Sequence, residues 1–421
     1  MIKNNSPVDK EKLYEAKRKQ ILSNAAKLFN VSGTRATTLQ DIASSLGVTK
    51  SSLYYYVKTK EELIYQCYMA TCEHDAQVLS TVKNLKLPAI DRIRLYLWNM
   101  FMEWRSVKEE QAVNLALILE MDALTAVHQR EGKALYVANA LAILDLITEG
   151  IKDGSIKPCD PLATTLAIIG TTSWAPIWLF DQATHEIQTV CEQITDIILN
   201  GLSANDKNYK FSTTVFSSEK ILADYRHSFN KTGAKLSRLD SFVHAGTKLF
   251  NQKGFSATSL DEISNELNMT KGAFYHYIKD KDDLLKKCFE QSLYITEKIQ
   301  NTAAKIDGDG LSKIEHCCRE LFYIQNSEIG PLIRYNSAMA LAPKQKKLIF
   351  QRTQNNSKRL SSFLVDGMKD GSIRKIDPSI VEMLISGAIH CAMEMSIWQE
   401  LTDIEKGFTD YFNVFFNGIK A

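Results

Sequence analysis

Sliding the 421-residue sequence over itself by 221 positions superimposes AKLFNVSGTRATTLQDIASSLGVTKSSLYYYVKTKEELIYQC on TKLFNQKGFSATSLDEISNELNMTKGAFYHYIKDKDDLLKKC without a gap. Lys27/Lys248, Phe29/Phe250, Gly33/Gly254, Thr37/Thr258, Ile42/Ile263, Thr49/Thr270, Lys50/Lys271, Tyr54/Tyr275, Tyr56/Tyr277 and Lys60/Lys281 are among the identical pairs. A second match sets EGIKDGSIKPCDP on DGMKDGSIRKIDP at an offset of 217, which implies a four-residue insertion or deletion between the two matches. The order is a basic unit, a long body and a D-G-S-I turn, stated twice. This is duplication of a protein of about 200 residues rather than stacking of a short solenoid unit.

The repeat divides the chain. Basic units are expected over 1–67 and 231–288 and bodies over 68–202 and 289–421. Helical periodicity fades after Leu202, where SANDKNYKFSTTVFSSEK is polar and rich in Ser, Thr and Asn, so 203–230 reads as a linker with a lead-in helix at 219–229. With 8 prolines and long 3.6-residue periodicity, the fold class expected is all-α. No apolar run looks long enough to span a bilayer, and the N-terminus MIKNNSPVDKEKLYEAKRKQ lacks the apolar core of a signal peptide, so a cytoplasmic location without membrane contact is expected. The eight cysteines are scattered with no C-x-x-C pair, which fits small buried apolar residues better than disulfides or zinc ligands.

Each basic unit carries the punctuation of two short helices joined by a tight turn. Leu13, Ile21, Leu22, Ala25, Leu28 and Phe29 form a helical stripe that Gly33 ends. Thr37 or Thr38 caps a second helix with Leu39, Ile42, Ala43 and Leu46 inward. Gly47-Val48-Thr49 turns the chain into a short helix from Lys50 to Val57, and Lys60 opens a fourth. That is helix-turn-helix geometry, in which the second short helix enters the major groove of DNA by its N-terminus. Lys50, Ser51 and Ser52 suit base edges, as one long donor followed by two hydroxyls that permit close approach. Tyr54, Tyr55 and Tyr56 offer phenolic donors to phosphate, although Tyr56 is equally suited to packing, and Leu53 and Val57 belong to the core. Charge agrees: 1–67 carries 11 Lys/Arg against 6 Asp/Glu and 231–288 carries 10 against 7, so with a net +2 overall the remainder is acidic.

The segments TTLQDIASSLGVTKSSLYYYVKTKEEL and TSLDEISNELNMTKGAFYHYIKDKDDL each resemble the DNA-binding segment of TetR-type regulators. The resemblance implies a three-helix head, a connecting helix, and an all-helical ligand-binding body that dimerises through two late helices. Carried across, DNA contacts fall on Gln40, Thr49, Lys50, Ser51, Ser52, Tyr54, Tyr55, Tyr56 and Lys60, and on Thr270, Lys271, Gly272, Ala273, Tyr275, His276, Tyr277 and Lys281. Asp261 stands where the first copy has Gln40 and would repel phosphate. Asn268 replaces the turn glycine Gly47, a position Asn tolerates because it enters the left-handed region readily. Because family members pair two copies of this unit, the halves are expected to form an intramolecular pseudo-dimer, with further dimerisation of chains left open. Unequal recognition helices would then read an imperfect palindrome.

The bodies are rich in large apolar and soft side chains. Trp98, Met102, Met121, Trp174, Trp178, Phe322, Tyr335, Met339, Met393 and Trp398 are candidates to line an apolar effector pocket, with plain core packing as the alternative for each. DPLATTLAIIGTTSWAPIWLF is similar to TetR-type regulators of lipid, steroid and aromatic catabolism, which implies a small hydrophobic or acyl-CoA-type effector. His128, His185, His316 and His390 have no partner at ligand spacing, and neither a catalytic motif nor a cofactor motif is present, so no metal and no cofactor is expected. Three readings stay open: a ligand-released repressor, a ligand-independent DNA-binding protein with purely structural bodies, and an enzyme on a helical scaffold.

Overall fold

A computed structural model of the chain describes residues 7–109, 111–117, 124–179, 183, 186–204, 209–212, 238–255, 257–326, 330–392, 395–398 and 400–421. Regular structure among them is helical, as the periodicity predicts, apart from two isolated antiparallel bridges. The first half runs α1 (Pro7–Ala36), α2 (Leu39–Ser45), α3 (Lys50–Leu53), α4 (Lys60–Lys83), α5 (Ala89–Lys108), α6 (Ala126–Asp153), α7 (Pro161–Leu179) and α8 (Glu186–Asn200). The second repeats the order as α9 (Arg238–Lys253), α10 (Leu260–Glu266), α11 (Lys271–Tyr275), α12 (Lys281–Ala303), α13 (Gly310–Asn326), a 3-10 turn (Tyr335–Ala340), α14 (Pro343–Asp370), α15 (Pro378–Cys391), the short α16 (Met395–Trp398) and α17 (Ile404–Asn417).

Three hydrophobic clusters hold these helices. The first head buries Ile21, Ala25 and Phe29 of α1 against Ile42, Ala43, Leu53 and Leu63. The second buries Phe242 and Phe250 against Ile263, Phe274 and Leu284. Leu13 departs from the expected stripe: it is 64% exposed, because α1 begins well before the helices it packs on. The third cluster does not stop at the body boundary but runs from Ile93, Phe101 and Ile194 through to Phe322, Leu384 and Phe412.

The contacts between halves come in reciprocal pairs. Helices α7 and α8 pack against α15 and α17. The bridge between Ile156 and Lys420 is matched by one between Ile373 and Ser203, each residue replaced by its counterpart 217 positions away. In the same way Lys157 N donates to Ile419 O and Arg374 N to Leu202 O, both at 2.9 Å. Gly170 and Gly387 correspond as well. A Cβ on the first would lie 2.8 Å from Cys391, and one on the second 2.2 Å from the ring of Trp174, so both glycines admit close helix crossing. The self-matched pattern is the arrangement of an isologous two-fold contact.

Duplicated anchors tie each head to its body. Asn30 Nδ2 donates to Leu115 O at 2.8 Å and its Oδ1 accepts from Leu117 N. Asn251 does the same with Leu332 O and Arg334 N. The head residues match at offset 221 and the body residues at 217, which places the four-residue difference between the end of α5 and Leu115.

Two expectations change. The polar stretch after Leu202 is not uniformly a loose linker: Tyr209 N donates to Asn417 Oδ1, and Tyr209 OH and Ser212 N donate to Glu315, so 209–212 is held against the second body. The lead-in helix expected at 219–229 lies outside the described residues. Second, α6 is long and apolar enough, by length and composition, to cross a membrane, contrary to the reading that no such run exists. Here it packs on α4, α5 and α7, and its carboxylates Asp145 and Glu149 pair with Lys83 and Arg92 of those neighbours. Among the described residues all eight cysteines are free; six are buried, and Cys159 and Cys391 are half-buried.

Candidate nucleic-acid interface and effector cavity

The capping chemistry fixes how each recognition helix is presented. Thr38 N-caps α2 in a reciprocal box: Asp41 N donates to Thr38 Oγ1 at 3.1 Å, and Thr38 N to Asp41 Oδ2 at 2.8 Å. Those bonds hold the Asp41 carboxyl below the usual carboxylate range. Gly47 then takes φ +64° and Asn268, its counterpart, φ +51°, so the asparagine supports the left-handed turn as expected. Thr49 and Thr270 cap the next helices, accepting from Ser52 N at 3.1 Å and Ala273 N at 3.2 Å. Leu53 and Phe274 are buried and plug each short helix into its head core. The helix expected through Val57 ends at Leu53, and Tyr54–Tyr56 form a turn that completes it.

Lys50, Ser51, Ser52 and Gln40 are exposed, as are Thr49 and, in the other head, Thr270, Lys271, Gly272 and His276, while Ala273 is half-buried. Tyr54 is 46% and Tyr55 74% exposed, and Tyr275 is 51% and Tyr277 42%. Several side chains already have partners. Ser52 Oγ is 2.9 Å from Thr49 Oγ1, and Gln40 Nε2 donates to Ser44 Oγ at 3.2 Å. Tyr56 is half-buried, stacked on Tyr14 with ring centroids 5.0 Å apart, and Tyr14 also meets Tyr55 edge-on at 5.7 Å. Lys281 Nζ donates to Thr258 O at 2.9 Å and lies 4.5 Å over the Phe255 ring, and Lys60 is half-buried.

The heads differ most at one ion pair. Lys271 Nζ sits 3.0 Å from Asp261 Oδ1, and that hydrogen bond raises the lysine above its ordinary pKa. In the first head Gln40 occupies the position of Asp261, and Lys50 lies 5.8 Å over the Tyr54 ring. The charge the second head shows to solvent is therefore partly cancelled within the head.

In the second body a cavity of about 270 Å³ is enclosed by α12, α13, α14 and α15, with Trp174 of the first half as part of its wall. Of the ten side chains expected to line a pocket, Trp174 does so. Phe322 is instead fully buried among Phe408, Tyr411 and Phe412. Trp98 and Trp398 pack on the rim of the body core and Met102 is half-buried in α5. Met121 and Met393 lie outside the described residues, as do the side chains of Trp178, Tyr335 and Met339.

The cavity's polar wall escaped sequence reasoning. Gln300 Nε2 donates to Asn356 O at 3.1 Å, which leaves Gln300 Oε1 buried without a partner, and Asn356 Nδ2 is buried without one too. Burial raises the Glu382 carboxyl above its usual pKa, against the Ser357 and Ser386 hydroxyls that bond it. His390 is half-buried, stacked on Trp174 at 4.8 Å, and desolvation pushes its pKa down to about 4. Nor is His128 isolated: its Nδ1 lies 2.8 Å from Glu61 Oε1, a partner too distant in sequence for a spacing rule to find. A signal for Asn356 existed, since Asn139 matches it at offset 217.

The pattern describing bacterial regulatory proteins of the tetR family matches residues 21–67 and again 242–288. That of the tetracyclin repressor-like C-terminal domain matches 86–202, so together they span about half of the chain. Among curated relatives, the transposon Tn10 TetC protein of Escherichia coli is 26% identical over 194 residues, 44% of this chain and 93% of its own. The HTH-type transcriptional repressor KstR2 of Mycolicibacterium smegmatis is 24% identical over 210 residues, 46% of this chain and 95% of its own. Similar solved structures include KstR2 of Mycobacterium tuberculosis, with 17% identity, 46% of this chain and 100% of that one covered, and TM-score 0.39. AibR in complex with isovaleryl coenzyme A and operator DNA has 22% identity, 43% and 97% coverage, and TM-score 0.35. The chain belongs to the TetR family of bacterial transcription regulators and carries that family's DNA-binding unit twice.

Proposed function

We propose that the chain is an effector-released repressor that occupies a whole operator as a single-chain pseudo-dimer, with heads at 1–67 and 231–288, bodies at 68–202 and 289–421, and the connection at 203–230. The observation that carries this reading is the reciprocity of the contacts between halves, where each residue of a pair is replaced by its counterpart 217 positions on. Two covalently linked halves paired in this way present two heads to one duplex. The repressor sense is supported by the curated relative KstR2, named a repressor.

Lys50, Ser51, Tyr54 and Tyr55 are the DNA contacts best supported in the first head, and Lys271, Tyr275, His276 and Tyr277 in the second, because all are exposed around the recognition helices. Tyr56, Lys60 and Lys281 contribute more by shaping the head. Of the two effector classes, a small hydrophobic molecule is supported by the apolar lining of the cavity, which includes Phe289, Leu293, Leu321 and Leu360.

Selection of bound sequences from random duplexes, combined with light scattering, tests the reading. The expected result is an imperfect palindrome bound by one chain, with Lys50→Ala weakening affinity and flattening its salt dependence. A dimer of chains on a single operator, or a salt slope untouched by Lys50→Ala, overturns it. Release by no candidate effector would favour the ligand-independent alternative.

A further inference from the structure

The duplication allows the two bodies to be compared position by position around the cavity. Cys317, Gln325 and Thr353 line it in the second body. Their counterparts in the first, at offsets 221, 221 and 217, are Tyr96, Trp104 and Tyr136. Tyr96 and Trp104 are 2% and 7% exposed, so rings are buried in the first half at positions where smaller side chains border open space in the second. The polar groups differ likewise. Asn139 is satisfied, its Nδ2 donating to Cys72 O at 2.8 Å and to Asp75 Oδ2 at 3.3 Å, whereas the matching Asn356 Nδ2 has no partner. Leu79 replaces Gln300, Thr165 replaces Glu382 and Ile169 replaces Ser386. The second body has gained room at these positions, with the unpartnered amide atoms of Gln300 and Asn356 beside it.

Buried polar atoms without partners are destabilising. Gln300 is 3% exposed and Asn356 7%, and both border the cavity, so a ligand that pairs them recovers what the empty fold forgoes. The Gln300 amide is fixed by its bond to Asn356 O with its oxygen unpartnered, and Glu382 is a second acceptor in the lining. The apolar lining includes Phe289, Leu293, Leu321 and Leu360.

Resting on the reading of the bodies as effector-sensing, we propose that this chain binds one effector, in the second body only, and that the effector is a compact amphiphile whose head donates hydrogen bonds, a hydroxyl or an ammonium, and not a carboxylate. The donor head pairs Gln300 Oε1 and Glu382, and a hydroxyl head can in addition accept from Asn356 Nδ2. A carboxylate head is disfavoured because it would lose its hydration and, having no hydrogen to donate, could not pair the unpartnered Gln300 Oε1. Occupancy is placed to reach the DNA-binding end. Leu332 and Ile333 line the cavity, and Leu332 O is held by Asn251 of α9, the first helix of the second head. Trp174, in the lining and stacked on His390, brings the first half to the same cavity.

Calorimetric titration of the full chain with 1-octanol, octan-1-amine and octanoate tests the proposal, with operator affinity followed by fluorescence anisotropy on the same protein. The alcohol and the amine should bind at one per chain and octanoate at least about tenfold more weakly. Glu382→Gln should bring octanoate to within about threefold of octanol. Thr353→Tyr, which installs the first body's ring, should weaken all binding about tenfold or more. If Thr353→Tyr fails to fold, Glu382→Gln still decides the matter. Two ligands per chain, octanoate binding as well as octanol, an unchanged order in Glu382→Gln, or no binding by any probe overturns the proposal. Loss of operator binding by the unmodified chain would instead overturn the regulator reading.

Discussion

A single carboxylate separates the two heads electrostatically. Asp261 pairs with Lys271, the exposed lysine at the start of the second recognition helix, while the first head has Gln40 in that place and leaves Lys50 beside Tyr54. On the proposed reading Lys271 exchanges Asp261 for phosphate on binding, whereas among the described residues no ion pair holds Lys50. Asp261→Gln is therefore expected to tighten operator binding and to steepen the salt dependence by about one phosphate contact, measured by anisotropy from 50 to 200 mM salt. Lys271→Ala should cost less affinity than Lys50→Ala. Equal losses for the two lysines, with no gain from Asp261→Gln, would mean that the pair has no bearing on DNA.

At the scale of elements, the short backbone segments pinned by Asn30 and Asn251 are the joints between head and body. Each asparagine closes two hydrogen bonds with main chain that has left its helix. Asn251→Ala strands Leu332 O and Arg334 N and should lower stability by about 1–3 kcal/mol in thermal unfolding. It should also reduce effector-induced release from DNA, whereas Asn30→Ala should lower stability similarly and leave release nearly unchanged. Similar release in both variants would argue against transmission through Asn251. These joints show where sequence reading stopped. The helices, caps and turn were legible because each rests on neighbours within a few residues: Thr38 with Asp41, Thr49 with Ser52, Asn268 on its own backbone. The cavity was not, because its polar wall draws Gln300, Asn356 and Glu382 from three helices, and large aromatics such as Phe322 signal apolar volume without telling core from lining. The matched asparagines were visible in the repeat, but identity alone does not say what an amide bonds to.

The whole molecule depends on close approach of two halves that need not be identical. Gly201 has φ +74°, and a Cβ there would lie 2.4 Å from Phe416 O of the other half; Gly371 has φ +81° with nothing within 4 Å. Both resist alanine for backbone reasons by about 1 kcal/mol, but only Gly201→Ala also pushes the halves apart. Gly201→Ala is expected to lower the unfolding midpoint well beyond Gly371→Ala and to weaken operator binding, while Gly371→Ala leaves affinity unchanged. Matching midpoints would show that the crossing at Gly201 does not support the pairing.

The matched backbone ends have one more consequence. Ala204 N donates to Ser372 O and Ala421 N to Ser155 O, at 3.0 and 3.2 Å, yet after Ala204 the chain goes on into the second half. A repressor assembled from separate subunits is diluted into inactive monomers when copies are few, so its operator occupancy then falls with the square of protein concentration. A tethered pair keeps its partner at a fixed local concentration and loses occupancy only in proportion. Such a switch should respond to gene dosage gradually and work at low copy number.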